Sequence, residues 1–98
     1  DSIGVYPMSH AKAKKEQLIG RIRRISGQVA AIEKAIANEA SCSVILHQVA
    51  GVRGAVLGLM DELIDDHLRG HIARRGLSES QRTEAADELM TVIRRYAR

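Results

Sequence analysis

From Lys12 to Asn38 apolar side chains return at Leu18, Ile22, Ile25, Val29, Ile32 and Ile36. Their alternating steps of four and three make a heptad seam, which a helix satisfies by packing along its length on other helices. The next segment carries two such stripes. One reads Cys42, Leu46, Ala50, Arg53, Leu57, Met60, Ile64, His67, His71; its neighbour reads Ile45, Val49, Val52, Val56, Leu59, Leu63. Together they form an apolar face wide enough to meet more than one partner helix. The only proline, Pro7, precedes all of this, and the only aromatics are Tyr6 and Tyr96. That composition suits packed helices and suits a β-sandwich poorly.

Three helices are predicted, over about 12–38, 42–75 and 79–97. A polar break at Asn38-Glu39-Ala40-Ser41 ends the first, and Ser41 is suited to cap the second. Arg74-Arg75-Gly76 closes the second with cations in its last turn and a glycine at the expected C′ position. Ser78 and Gln81 have capping-box spacing for the third. With 98 residues and no internal repeat, the chain reads as one all-α domain over 9–98. Residues 1–8 read as a disordered extension, with Met8 the natural start. A domain this small buries limited surface alone, so oligomerisation is expected.

Cys42, His67 and His71 carry the chemistry. On a helix His67 and His71 lie one turn apart on one face, a spacing that lets two imidazoles share a metal ion. Cys42 opens the same stripe at a helix N-terminus, where unpaired N–H groups favour negative charge. Along one helix, Cys42 lies roughly 37 Å from His67 at about 1.5 Å per residue, whereas a metal–sulfur bond is about 2.3 Å. One protomer therefore cannot close the site. An antiparallel second copy can, by laying its histidine end beside the first copy's cysteine. Gly51, Gly54, Ala55 and Gly58 cluster near the midpoint, where small residues would let two backbones approach across a two-fold axis. His10, just before the first helix, could supply a further ligand from an arm, and His47 reads as a surface residue. Asp61, Glu62, Asp65 and Asp66 read as a solvated face paired with arginines.

The net charge of +3 is compatible with nucleic acid. Lys12, Lys14, Lys15, Arg21, Arg23 and Arg24 concentrate it on the first helix, and a symmetric oligomer would repeat the patch. Neither helix-turn-helix spacing nor a zinc-finger pattern is present, so readout would rest partly on DNA shape. The chain has no G-x-S-x-G elbow and no phosphate loop, and it reads as no enzyme; a Cys–His dyad across protomers is the one catalytic option. A lone cysteine excludes an intrachain disulfide and fits a reducing interior. With no signal layout and no apolar run of membrane-spanning length, the expected location is cytoplasmic, with no membrane partner and no small-molecule substrate.

The run Arg21-Ile22-Arg23-Arg24-Ile25-Ser26-Gly27-Gln28, then Cys42, Val52-Arg53-Gly54-Ala55, Gly58-Leu59-Met60, and His67 with His71, resembles the CsoR/RcnR repressors. The resemblance spans about Met8 to Tyr96. It implies a three-helix protomer, an antiparallel helical-bundle dimer and a dimer-of-dimers tetramer. It also implies that the ligand-free tetramer binds operator double-stranded DNA and that an effector releases it, with Lys14, Arg21, Arg24 and Arg53 as the expected DNA-binding residues. Copper sensors of this family place a second cysteine where this chain has His71. An imidazole there disfavours Cu(I) and suits Ni(II) or Co(II), with Zn(II) the lesser option. Nickel/cobalt members carry a histidine at the third position, which His10 matches counting from Met8. The implied site is then His10, Cys42, His67 and His71, with Cys42 from one protomer and both later histidines from its partner. In those members the free N-terminal amine also binds, and Asp1–Pro7 would displace it. Formaldehyde-responsive relatives use the same cysteine with a proline after the initiator methionine; here Ser9 follows Met8. Persulfide sensors need two thiols, and this chain has one. Two alternatives remain: a formaldehyde-responsive repressor acting through Cys42, and a zinc-bound structural helical oligomer.

Overall fold

The structure is a computed structural model; it describes residues 8–96, with side chains from Lys14 onward. It has α1 (Met8–Ala37), α2 (Cys42–His67), a π-helical turn (Leu68–Ile72) and α3 (Glu79–Tyr96), with no strand among the described residues. The all-α, three-helix reading holds. The first helix begins four residues ahead of its expected start; of the expected extension over 1–8, Met8 is instead the first residue of α1, and residues 1–7 lie outside the described residues.

The break after α1 is a Schellman-type stop. Ala40 donates its N–H to the Ala35 carbonyl at 2.9 Å and Glu39 donates to Ile36 at 3.0 Å. This closure places Glu39 at φ 56°, the left-handed region that usually calls for glycine. Ser41 then caps α2 as expected, its Oγ accepting the Val44 N–H at 3.3 Å.

The chain divides into two units, one ending at Leu59 and the other beginning at Met60. In the first, α1 runs antiparallel to α2: Arg21 lies against Gly58, and Gln28, seven residues on, lies against Gly51, seven residues back, so these two glycines of the expected crossing between copies instead face α1 of their own chain. Leu18, Ile25 and Ile32 on α1, and Ile45, Val52 and Leu59 on α2, become half-buried. The alternate seam members remain open, with Ile22 51% exposed, Val29 50% and Ile36 58%. Val49 and Val56 on α2 are likewise exposed. The hairpin thus uses about half of the apolar pattern and leaves the other half facing outward.

In the second unit α3 packs on the π-helical turn. Ala85 on α3 and Gly70 in that turn are its buried residues. Two expectations are corrected here. The second helix does not run in α form to Arg75, because Ala73 donates its N–H to the Leu68 carbonyl at 2.7 Å, five residues back, and the chain then leaves the helix. Gly76 does have a positive φ, 87°, but it lies in the following turn and not directly at a helix C′ position. The carbonyl of Arg74 is taken by the Arg82 guanidinium at 3.1 Å. The capping box of α3 is present in both directions: Ser78 donates its N–H to Gln81 Oε1 at 2.8 Å, and Gln81 donates to Ser78 Oγ at 3.0 Å.

The expectation about membrane-spanning length also changes. Cys42–Ile72 is, by length and composition, apolar enough to cross a membrane. No single run of large apolar residues signals this, because glycine and alanine fill the positions between the stripes. The same composition suits a helix covered by other helices on several sides.

Candidate metal centre and DNA-facing cations

The end of α2 brings the two histidines together. His67 is the last α-helical residue and His71 lies in the π-helical turn. Their rings are 4.9 Å apart between centroids and tilted by 41°. A π turn takes more residues per revolution than the 3.6 of an α-helix, so the two rings differ in bearing from an ordinary i, i+4 pair. His67 is half-buried and His71 is exposed.

His67 Nε2 lies 3.0 Å from the Ala85 carbonyl oxygen. A carbonyl only accepts, so His67 donates Nε2–H, and in the neutral ring the free lone pair is on Nδ1. This anchoring by a backbone oxygen is the kind of support that ligating histidines commonly have. No sequence pattern points to it, because the acceptor belongs to the main chain of α3 and carries no side-chain signature. His71, by contrast, opens onto a groove lined by Arg74, Gln81, Glu84 and Glu88.

Cys42 is the first residue of α2 and its thiol is exposed. Among the described residues, no three of His, Cys, Asp and Glu converge on a common point within one copy. The backbone of His10 lies in α1, and its side chain is outside the described set. His47 is exposed, as expected of a surface residue. In the acidic run, Asp65 holds the Arg69 Nε with both carboxylate oxygens, at 2.9 and 3.0 Å.

The cations expected at DNA lie on the first unit. Arg24 and Arg53 are exposed, while Lys14 and Arg21 are half-buried. Arg21 and Arg24 flank a groove of about 500 Å³ whose other walls are Ile25, Gly27, Gln28, Ala31 and Ala55. It is a largely apolar trough with two guanidiniums on it.

A family model for metal-sensitive transcriptional repressors matches residues 14–95. The chain belongs to that family. The transcriptional repressor RcnR of Salmonella arizonae is 40% identical over 89 residues, covering 91% of this chain and 98% of RcnR. An uncharacterized protein of the bioA 5′ region of Serratia marcescens is 43% identical, with the same coverage. Among solved structures, a glutamate-to-histidine variant of the formaldehyde-responsive regulator FrmR from Salmonella enterica serovar Typhimurium has the same fold, with a TM-score of 0.79. It is 39% identical and covers 84% of this chain and 92% of its own. These relatives establish the CsoR/RcnR family named from the sequence. Metal-sensitive transcriptional repressors are regulators and not enzymes.

Proposed function

We propose that this repressor senses Ni(II) or Co(II), binds operator DNA when metal-free, and releases it on metal binding to derepress a metal exporter in the cytoplasm. The observation that carries this reading is the pair of adjacent imidazoles at one end of a helix whose first residue is an exposed cysteine. An antiparallel homodimer, doubled to a homotetramer, would bring Cys42 of one copy to His67 and His71 of a second copy. The outward-facing Ile22, Val29, Val49 and Val56 support such an assembly, since they offer apolar surface for another copy to cover. His10 would complete the ligand set. His67 would use Nδ1, the nitrogen its bond to Ala85 leaves free.

The donor set fits a borderline metal. One thiolate among imidazoles favours Ni(II) or Co(II) over Cu(I), which prefers softer ligands. Ligation would draw the amino end of α1 and the start of α2 toward the partner's histidine end, and Lys14, Arg21, Arg24 and Arg53 would lose their DNA-competent arrangement. The coupling is reciprocal, so operator DNA lowers metal affinity by the factor by which metal lowers DNA affinity.

Cobalt absorption tests the site. Wild-type protein should show a thiolate-to-Co(II) charge-transfer band that Cys42→Ala abolishes, while His71→Ala alters the ligand-field bands. A charge-transfer band that survives Cys42→Ala removes the assignment. A gel shift with DNA from upstream of the protein's own gene, with and without nickel, tests the response.

One observation favours a second reading. The structural neighbour FrmR is formaldehyde-responsive, and Cys42 is exposed here. In that reading Cys42 is modified covalently and no metal is required. Mass spectrometry after formaldehyde exposure, beside a nickel titration, separates the two.

A further inference from the structure

We propose that Gly58 positions the Arg21 guanidinium for DNA, by leaving room on α2 for that group to lie close over its backbone. The proposal rests on the reading of Arg21 as a DNA-binding residue. A Cβ built at Gly58 would lie 3.0 Å from Arg21 Nη1 and 3.9 Å from Cζ. The edge of the guanidinium therefore passes directly over the Gly58 backbone, in the space that a methyl group would need. The other glycines of α1 and α2 show no such crowding. A Cβ at Gly20 meets Arg24 Nη1 only at 3.8 Å, and one at Gly27 or Gly54 meets nothing within 4 Å.

A glycine in a helix interior carries a conformational cost relative to alanine. At position 58 that cost has a local reason. The neighbour that an alanine would disturb is the tip of a long side chain, so the clash is relieved by moving the guanidinium and leaves the backbone in place. The planar fork of an arginine recognises phosphate through the direction of its N–H groups as well as through its charge. Displacing it degrades recognition without unfolding anything. Gly58 is thus a positioning residue that acts through Arg21.

The test compares wild type, Gly58→Ala, Arg21→Ala, the double variant and Gly20→Ala as a matched control. Binding is followed by fluorescence anisotropy of a labelled duplex carrying the DNA upstream of the protein's own gene, across a salt series. Gly58→Ala should weaken binding on the order of tenfold, the scale of one charged hydrogen bond. Because the guanidinium keeps its charge beside the duplex, the salt slope should change little, whereas Arg21→Ala should lower it by about 0.9, the contribution of one phosphate contact. Its melting temperature should hold or rise, its oligomeric size should not change, and it should add nothing to Arg21→Ala. Gly20→Ala should bind as wild type does. The proposal is overturned if Gly58→Ala binds like that control, if its loss adds to that of Arg21→Ala, or if it melts lower or assembles differently. Those last outcomes would make Gly58 a packing residue. A wild-type protein that ignores the duplex overturns the DNA reading itself, and the role of Gly58 with it. Normal wild-type binding with an inert Gly58→Ala overturns only the role of Gly58.

Discussion

His67 and His71 face similar chemistry but unequal structural duties. His67 ties the end of α2 to the α3 backbone through Ala85, whereas His71 is exposed beside it. Replacing either by alanine should weaken cobalt binding. His67→Ala should also destabilise the fold by about 1 kcal/mol, the net value of a typical internal hydrogen bond, while His71→Ala should leave the melting temperature nearly unchanged. Thermal melts of the metal-free variants measure the difference. Equal melting temperatures would mean that the Ala85 contact contributes nothing. Spacing alone identified the pair, because two side chains four residues apart on a helix meet whatever the rest of the chain does. The bond to Ala85 was not legible, since its acceptor is a backbone group 18 positions away.

The helix ends show the same divide between local and distant causes. Ser41 as a cap and the reciprocal Ser78–Gln81 box could be read from residue types, because each is complete within four positions. The stop of α1 was marked by polar residues, but its left-handed residue is Glu39, where glycine would be the usual choice. Glu39→Gly should therefore stabilise the protein by about 1 kcal/mol, the cost of a Cβ in that conformation, seen as a higher melting temperature. No change would show that the Glu39 side chain gains something equivalent. The π-helical turn had no sequence signal. Its widening comes with the packing of Leu68–Ile72 on α3 and the closing bond from Ala73 to Leu68, and apolar spacing is silent on both.

For the whole molecule, the heptad seam was legible but its division was not. Periodicity shows which residues seek cover; it does not show which cover is internal. Leu18, Ile25 and Ile32 obtain part of theirs within the hairpin, while Ile22, Val29 and Ile36 do not. A charge at one of the open positions tests what they are for. Val56→Glu should reduce the oligomer to a smaller species in light scattering and lower the melting temperature, because a carboxylate covered by a second copy would lose its water without gaining a partner. An unchanged mass would mean that this face is not an interface.

Among the described residues of one copy, Ala85 is the sole apolar residue below a tenth exposed, and this has a consequence for supply. In the proposed oligomer, where a second copy covers the hydrocarbon that a solitary molecule leaves in water, gaining structure and finding companions would merge into a single mass-action balance. Dosage then enters the thermodynamics. Below some number of molecules per cell the regulator would be scarce in its working form even when every polypeptide is intact.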